Sequence, residues 1–590
     1  MTQTPLSRPR RFEILLIKPS HYDEDGYVIQ WLRSTMPSNS LACVNALAFS
    51  AAERKILGDD TEIVVTAIDE TNTHVDIAGI IRRFQNNDFS GFVGFVGVQS
   101  NEFPRTMDMA RPLREAGIKV AIGGFHVSGC IAMLPKLPDD MKAASDLGII
   151  LFAGEAEEHF DAFVTDVAAG TARPVYDYMK DLPDIGAVSA PPFLAAEFVK
   201  RSVGNVTSFD AGRGCPFQCS FCTIINVQGR KSRYRTPDSV EAILRANYAQ
   251  GIDRFFITDD NFARNKDWEA IYDRIIKLRE VDGLDVRFMI QVDTLCHKIP
   301  NFIEKSKRAG VTRVFIGLEN INPDNLIAAK KRQNKLTEYR KMLLDWKAVG
   351  IMTFAGYILG FPNDTPASIK RDIKIIQEEL PLDALEFFIL TPLPGSEDHK
   401  VLDGKGVAMD ADMNRYELEH VVTDHPNMTR AQWQTTYFDA WSQFYTDKHL
   451  ETILRRAHAS GIDIYRLMII LLWFSSAVPV ENVHPLQAGI IRRKDRRSRR
   501  PGLSREPWLP FHLQYFGEMI GKQVALFRRW RSLRTICARI VKDSNAAAYC
   551  DKALSAVVND VSAEMELYNQ TASAKSAVTR ERRVAGAAST

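Results

Sequence analysis

Residues 205–222 read NVTSFDAGRGCPFQCSFC, and this stretch decides how the rest of the chain is interpreted. It opens with the β-branched and aromatic residues of a buried strand, and three of the eight cysteines follow at Cys215, Cys219 and Cys222. Three thiolates on one loop suit an iron-sulfur cluster that leaves one iron free for another ligand. The alternatives are a zinc site with a distant fourth ligand and three unconnected thiols.

Short apolar runs alternate with helix-like segments on both sides of the loop. Five runs precede it, at residues 12–18, 62–69, 91–98, 119–124 and 147–155. They predict a doubly wound parallel α/β sheet. Six runs start with the quoted stretch, at 205–212, 253–260, 285–293, 312–320, 351–360 and 385–393. They predict a partial (β/α)6 TIM-like barrel, whose chemistry lies at the carboxyl ends of the strands, where the cysteines stand.

The pattern along the chain predicts six segments. The region 171–200 is rich in proline and has no periodicity, which is typical of a connection between domains. We predict a flexible N-terminus at 1–10, an α/β domain at 11–170, a linker at 171–200, the barrel at 201–400, a mainly helical C-terminal domain at 401–570 and a disordered tail at 571–590.

Composition and charge indicate an ordinary globular protein of 590 residues. The 75 basic and 73 acidic residues leave a formal charge of +2, so we expect no nucleic-acid partner. The apolar run near the N-terminus is interrupted by Lys18 and Pro19, which makes it too short for a signal peptide. Scattered single cysteines beside one tight cluster are typical of a reduced compartment. We therefore predict a cytoplasmic protein.

The segment CPFQCSFC resembles the cluster loop of the radical S-adenosylmethionine (SAM) superfamily. The resemblance implies that Cys215, Cys219 and Cys222 hold a 4Fe-4S cluster whose open iron binds SAM. It also implies that an electron from the cluster cleaves SAM to a 5′-deoxyadenosyl radical. We expect a flavodoxin or ferredoxin to supply that electron.

Four further segments are similar to the strand ends that surround SAM in that superfamily. They are ITDDNF (257–262), GLENINPDNL (317–326), GYILGFPNDT (356–365) and LTPLPGSE (390–397). The common Gly-Gly-Glu of the first is here Thr-Asp-Asp. The residues that this resemblance implies for SAM binding are Phe221, Asp259, Asp260, Gln291, Glu319, Leu359 and Pro392. As alternatives, the two aspartates cap the next helix and Glu319 is structural; Cys296 is left out as an inert buried thiol.

The first domain resembles the cobalamin-binding domain that precedes the radical domain in one subgroup of the superfamily. The similar segments are IGGFHVSG (122–129) and FAGEAEEHF (152–160). The residues implied for cobalamin are Gln99, Ser100, Gly123, Gly124, His126, Ser128 and Glu155. His21 lacks the Asp-x-His-x-x-Gly pattern, so we expect no cobalt ligand from that motif. The alternative is a Rossmann-like nucleotide-binding module, although no G-x-G-x-x-G follows the first strand.

Together the two resemblances imply a cobalamin-dependent radical SAM C-methyltransferase. Such an enzyme abstracts hydrogen from an unactivated carbon with the 5′-deoxyadenosyl radical and transfers methyl from methylcobalamin. An oxidative cyclase or ring-rearranging enzyme of the same architecture is the alternative, and a non-catalytic iron-sulfur or cobalamin sensor is the alternative of another class. A tRNA methylthiotransferase is disfavoured because only Cys43 and Cys130 lie in the first domain.

The last third carries the only indication of substrate and location. LMIILLWFSSAV (467–478) is apolar, but 12 residues are too short to cross a bilayer. A basic cluster between Arg492 and Arg500 and the aromatic residues up to Phe516 follow. Together, 467–516 would suit peripheral contact with anionic lipid and a hydrophobic or lipid small-molecule substrate. The alternative is a buried helix followed by a solvated basic loop.

Overall fold

The first domain is built on a six-stranded parallel sheet. A computed structural model describes residues 10–187, 191–556 and 565–588, so residues 1–9 of the predicted flexible N-terminus and residues 589–590 lie outside it. The strands of this region are β1 (Arg10–Lys18), β2 (Gln30–Ser34), β3 (Thr61–Asp69), β4 (Gly91–Phe95), β5 (Lys119–Gly123), β6 (Ile150–Ala153) and β7 (Val175–Asp177). Their order in the sheet is β3-β1-β4-β5-β6-β7, and β2 is not part of it.

Helices cover both faces of this sheet, as the doubly wound prediction requires. They are α1 (Asn39–Glu53), α2 (Ile77–Gln85), α3 (Phe103–Glu115), α4 (Phe125–Met133), α5 (Asp139–Asp146) and α6 (Phe160–Ala169). The strand order reverses between β1 and β4, which opens a crevice at the carboxyl ends of the strands. β7 lies in the segment predicted as linker, so the sheet extends past residue 170; this three-residue edge strand follows Pro174 and is too short to give an alternating pattern.

The second domain is a partial barrel of six parallel strands. They are β8 (Val206–Phe209), β11 (Arg254–Ile257), β12 (Arg287–Val292), β13 (Val311–Glu319), β14 (Met352–Leu359) and β15 (Ala384–Ile389), with β9 (Gly212–Arg213) and β10 (Arg233–Tyr234) forming a separate antiparallel pair. The helices are α7 (Ala196–Val199), α8 (Ile224–Val227), α9 (Pro237–Ala249), α10 (Trp268–Glu280), α11 (Phe302–Arg308), α12 (Pro323–Ala328), α13 (Tyr339–Ala348), α14 (Pro366–Glu379) and α15 (Glu397–Gly404). β8 and β15 are the two edges, so the predicted partial barrel is confirmed.

The C-terminal region is mainly helical, as predicted. It comprises α16 (Arg430–Phe444), α17 (Asp447–Ala459), α18 (Ile464–Ser476), a π-helical turn at Ala477–Glu481, β16 (Gly489–Arg493), α19 (Trp508–Lys542) and two helices at Glu566–Asn569 and Ala572–Ala588. The disordered tail predicted at 571–590 is wrong over residues 572–588. Ala574 is fully buried, and the Ser573 hydroxyl donates to Asp324 at 2.6 Å, so tertiary contacts hold this helix.

A two-stranded antiparallel sheet joins the first domain to the C-terminal region. β16 pairs with β2, and Trp31 of β2 is buried against this pair. The basic cluster predicted as a lipid contact lies here, and several of its side chains form ion pairs within the protein. Arg492 pairs with Asp23 at 2.9 Å and Arg500 with Asp412 at 2.6 Å.

Among the residues that the structure describes, one helix is long and apolar enough to cross a membrane by length and composition. It runs over Ile464–Glu481, 18 residues with a mean hydropathy of 1.5, so it is longer than the apolar run of 12 residues considered in the sequence. Half of this window is buried inside the protein, where Leu467 and Leu471 belong to the core. α18 is therefore packed as a core helix along α19.

Candidate functional site

The two ends of the cysteine loop are joined by backbone hydrogen bonds. It starts after β8 and is closed at its foot by the pairing of β9 with β10. The Cys215 amide donates to the Gly229 carbonyl at 3.2 Å, which ties the start of the loop to its return. Gly214 has a φ of +88°, and a Cβ there would meet the Lys231 carbonyl at 2.6 Å, so glycine is required before the first cysteine.

All three thiols of the loop are free, with Cys219 buried and the other two half-buried. The Gln333 amide donates to the Cys219 sulfur at 3.4 Å. Burial raises the pKa of Cys215 to about 11 and that of Cys222 to about 12, and the negative charge of Asp260 adds to both shifts. Thiols with such pKa values become thiolates at neutral pH when cationic iron binds and displaces their protons.

Within the described ranges, no group of three or more His, Cys, Asp or Glu side chains is arranged to hold one metal ion. In a 4Fe-4S cluster each cysteine binds a different iron, so the three sulfurs lie farther apart than ligands of one zinc ion. The chemistry of the donor set, three free thiols on one loop, fits such a cluster.

Two neighbouring aspartates after β11 have different roles. Asp259 accepts the amide protons of Ala211 and Gly212, both at 2.7 Å, and the Asn265 amide at 3.0 Å. Its carboxylate therefore fixes the backbone that leads into the loop, and a contact of Asp259 with SAM stays a prediction. Asp260 has no side-chain hydrogen bond to another described residue. Its burial, followed by the charge of Asp259, raises the pKa of Asp260 to about 7.

The opposite side of the loop is formed by the end of β13. Glu319 has a φ of +61° at a register shift in the strand, and this left-handed backbone is strained for a residue other than glycine. Its carboxylate accepts from the Lys331 ammonium at 2.5 Å. That ammonium also lies 5.7 Å from the centre of the Phe221 ring, so Glu319, Lys331 and Phe221 form one group beside the cysteines.

Three further residues were predicted to bind SAM: Gln291, Leu359 and Pro392. Gln291 lies inside the barrel and donates to the Asp259 carbonyl at 3.4 Å. The Leu359 side chain is fully buried in the core, and its carbonyl accepts from Leu390 and Trp433. Pro392 is also buried. The Leu359 side chain therefore belongs to the core, because the side chains of β14 alternate between lumen and core, and its role in SAM binding stays a prediction.

A cavity of about 180 Å³ opens at the carboxyl edge of the first sheet. Its inner wall is apolar and includes Phe92, Phe152 and Phe163. Of the residues predicted for cobalamin, Gly123, Gly124, Ser128 and Glu155 line this cavity. Gly124 has a φ of +144°, and a Cβ there would meet the Val98 amide at 2.2 Å, so the close approach of the chain needs glycine.

Three residues predicted for cobalamin do not line this cavity. His126 is buried, with one ring nitrogen 3.1 Å from the Ser100 hydroxyl and the other 3.0 Å from the Asp140 carboxylate. Gln99 starts a short 3₁₀ turn, where its amide donates to Glu102. His126 therefore does not line the cavity, and its contact with a bound group stays a prediction. α4 places successive side chains on different faces, so Ser128 reaches the cavity and His126 does not.

A buried charge network connects the cavity to the cysteine loop, and the sequence analysis missed it. Arg213, two residues before Cys215, lines the cavity and pairs with Glu155 at 2.6 Å and with Glu157 at 2.6 Å. It also pairs with Asp210 at 3.0 Å, as does Arg235. Burial alone would raise the pKa of Asp210, but the two guanidinium groups hold it below its ordinary value.

Replacement of Arg213 by methionine is expected to destabilise the folded protein. The change leaves the buried carboxylates of Glu155, Glu157 and Asp210 with fewer cations, at a cost of about 3–5 kcal/mol. The midpoint of thermal unfolding measures this. The control Arg245→Met breaks an exposed pair with Glu241 at 2.7 Å and is expected to cost less than about 1 kcal/mol. Equal effects of the two substitutions would contradict the role of the network.

Comparisons with known proteins agree with this geometry. The radical SAM superfamily profile matches residues 210–376, which contain the cysteine loop and β9 to β14. Bacteriochlorophyllide d C-8(2)-methyltransferase of Chlorobaculum tepidum is 24% identical over 406 residues, which cover 66% of this chain and 85% of that protein. Hopanoid C-2 methylase of Rhodopseudomonas palustris is 27% identical over 292 residues, which cover 49% of this chain and 53% of that protein.

Two solved structures share the fold. TsrM of Kitasatospora setae with cobalamin and a [4Fe-4S] cluster has a TM-score of 0.55 at 15% identity, covering 78% of this chain and 99% of that one. The cobalamin-dependent radical enzyme OxsB has a TM-score of 0.50 at 14% identity, covering 94% and 84%. The radical SAM domain implies a 4Fe-4S cluster and SAM as cofactors. The chain therefore contains a radical SAM domain, and its fold is that of these two cobalamin-dependent structures.

Proposed function

We propose that the protein is a cobalamin-dependent radical SAM C-methyltransferase. The single observation that carries the proposal is that one cavity is lined from both domains. Gly124 and Ser128 come from the first domain, at the start of α4, while Arg213, Val227 and Gln228 flank the cysteine loop. A group bound at the sheet edge would therefore be held next to the cysteine loop.

The residues that line the cavity fit a bulky cofactor with an apolar ring: the inner wall of the cavity is apolar, and its rim is polar. The aromatic inner wall would enclose a flat apolar ring, and the glycines of the rim let the backbone approach a bulky ligand. When bound, cobalamin supplies a methyl carrier, and the cluster with SAM supplies a hydrogen-abstracting radical. The protein's part is to orient the cofactors and to keep water away from the reacting carbon. Such a reaction needs no general base.

The lumen of the barrel suits a hydrophobic small molecule. Side chains alternate along each strand, so the residues that do not pack under the outer helices point inward. Four such positions are apolar and incompletely buried: Phe256, Met289, Phe315 and Phe388.

The eight cysteines are all free thiols. Together with an oxygen-sensitive cluster, they favour the cytoplasm as the location.

Product analysis tests the proposal. The full-length protein is reconstituted anaerobically with iron, sulfide and hydroxocobalamin, then incubated with a reductant and methyl-labelled SAM. A methyltransferase is expected to form 5′-deoxyadenosine and S-adenosylhomocysteine, with label on the corrin. Deoxyadenosine without S-adenosylhomocysteine would favour the oxidative cyclase or ring-rearranging alternative. Neither product would favour a redox sensor, and failure to retain hydroxocobalamin would overturn the cobalamin assignment.

A basic groove at the outer rim of the cysteine loop supports an acidic one-electron carrier of the flavodoxin or ferredoxin type as the electron donor. The groove is lined by the exposed Gln218 of the loop and by Arg230, Lys330 and Lys400. One acid, Glu397, also lines it, and its carboxylate is paired with Lys330 at 2.5 Å. The groove therefore carries an excess of positive charge beside the cysteine loop.

Reversing two of these charges is expected to slow reduction by the protein donor. In the double variant Arg230→Glu and Lys400→Glu, the rate of cluster reduction by flavodoxin should fall roughly tenfold at low ionic strength, because steering of an acidic partner is lost. Stopped-flow absorbance measures the rate. Dithionite should reduce both proteins equally fast. The control pair Lys277→Glu and Lys448→Glu lies on exposed outer helices and should leave the rate unchanged; a similar loss there would exclude this docking surface.

A further inference from the structure

α19 carries a long apolar stripe that the rest of the protein does not cover. We call it the α19 stripe; its members have exposed fractions between 42% and 66% and are Leu509, Leu513, Phe516, Ile520, Val524 and Phe527. Successive members are three or four residues apart, so they lie on one face of the helix along about 27 Å. Contiguous exposed apolar surface of this length is uncommon on a monomeric soluble protein.

The stripe is not the face by which α19 packs on the protein. Phe511 is buried, and its ring centre lies 5.4 Å from that of Tyr27 in the first domain. The Tyr515 hydroxyl donates to the Arg492 carbonyl at 2.9 Å, and Lys522 pairs with Glu481 at 2.8 Å. These contacts fix the rotation of the helix about its axis. The α19 stripe therefore points away from the protein.

Positive charge continues the same surface. Between residues 508 and 542 the helix has seven basic residues and one acidic residue. Arg531 and Arg534 lie four and seven positions after Phe527, so they extend the line of the stripe, and Arg528 lies beside it. Within the part of the chain that the structure describes, none of these three arginines forms an ion pair. An apolar face with basic residues at one end is typical of a helix that lies in a lipid interface.

The charge distribution distinguishes a bilayer from a second copy of the chain. Two α19 helices packed in parallel through their stripes would bring Arg528, Arg531 and Arg534 of both copies together. Within the described residues these arginines form no ion pair, whereas Lys522, Arg529 and Arg539 are paired within the chain. Like charges at such close range are unfavourable. Anionic lipid headgroups instead provide the complementary charge, and acyl chains cover the apolar residues.

We infer that α19 docks the enzyme on the surface of an anionic bilayer. The α19 stripe lies among the upper acyl chains, Trp508 sits in the interface at one end, and Arg528, Arg531 and Arg534 contact headgroup phosphates at the other. The apolar helix α18 stays in the protein core, and Arg492, Lys494, Arg499 and Arg500 of the basic cluster stay in their ion pairs. The contact surface thus lies at residues 508–534 rather than over the whole of 467–516. This inference is independent of the reaction that the enzyme catalyses.

Vesicle co-sedimentation with the full-length reconstituted protein tests the inference. The wild type is expected to bind vesicles of phosphatidylcholine mixed with phosphatidylglycerol and to bind pure phosphatidylcholine much less. The variant Leu513→Asp and Phe516→Asp should lower binding to the mixed vesicles by roughly tenfold or more. Replacing Arg528, Arg531 and Arg534 by glutamine should abolish the preference for phosphatidylglycerol.

Matched controls separate docking from misfolding. Val281→Asp and Ile327→Asp change two apolar residues that are 74% and 67% exposed elsewhere on the surface, and they should leave vesicle binding unchanged. Circular dichroism and cluster content establish that each variant is folded. Absence of binding by folded wild type would overturn the inference. So would a dimer, seen by sedimentation velocity without lipid, that the Leu513 and Phe516 substitutions dissociate, since a second copy would then occupy the stripe.

Discussion

Cys219→Ala protein, reconstituted anaerobically and given SAM and dithionite, is expected to form no measurable 5′-deoxyadenosine, a fall of roughly 1,000-fold or more. Cys219 is the buried member of the loop, and its sulfur accepts the Gln333 amide, so its loss removes one of three thiolates and a fixed point of the loop. Cobalamin content should remain near that of the wild type, because Cys219 does not line the cavity of the first domain. Chromatography of the nucleoside and the corrin absorbance measure the two quantities.

The matched control is Cys550→Ala, which removes an exposed cysteine outside the loop. It should leave SAM cleavage, iron content and corrin content unchanged. Reductive cleavage by Cys219→Ala at a rate near that of the wild type would contradict the assignment of the loop. Loss of cobalamin together with cleavage would instead indicate that the substitution had unfolded the interface between the domains.

Val44→Trp is expected to weaken cobalamin binding by roughly 100-fold, which corresponds to about 2.7 kcal/mol. Val44 is on α1 and lines the cavity, so an indole at this position fills space that a cofactor would use. The cluster loop belongs to the other domain, so iron content and SAM cleavage should be retained. Equilibrium titration with hydroxocobalamin, followed by its absorbance, gives the dissociation constant.

Phe49→Trp provides the comparison on the same helix. Phe49 is 48% exposed, so the larger ring extends into solvent and should leave cobalamin affinity unchanged. If Val44→Trp bound cobalamin as tightly as the wild type while remaining folded, the cofactor would not occupy this cavity. A loss of affinity in both variants would show a general sensitivity of α1 and would not support the assignment.

The parallel sheets were predictable because their signals are local. Each barrel strand is a short apolar run, and the six observed strands fall within the six predicted runs or overlap them almost completely. The cysteine loop was predictable for the same reason, since its spacing is contained in eight residues. Asp260 and Glu319 lie beside it because the carboxyl ends of parallel strands meet at one edge of the sheet.

The features that the sequence analysis missed depend on distant contacts. β2 and β16 are each five residues long, and their pairing joins positions more than 450 residues apart, so neither strand has a local signal that identifies its partner. Arg213 stands between two glycines that read as a turn, and its three carboxylate partners identify it only in three dimensions. His126 shows the reverse case. Its ring on α4 contacts the Asp140 carboxylate, although the neighbouring Gly124 and Ser128 line the cavity.

The pairing of β2 with β16 has a practical consequence for anyone who wishes to shorten this polypeptide. A fragment that stops before residue 489 would lose the strand beside Gln30–Ser34 and would expose both the unpaired amides of that edge and the indole of Trp31. Bare strand edges recruit other chains, so such fragments should accumulate as aggregates during expression. The shortest fragment suitable for purification therefore includes β16, so that residues 30–34 and 489–493 stay in one polypeptide.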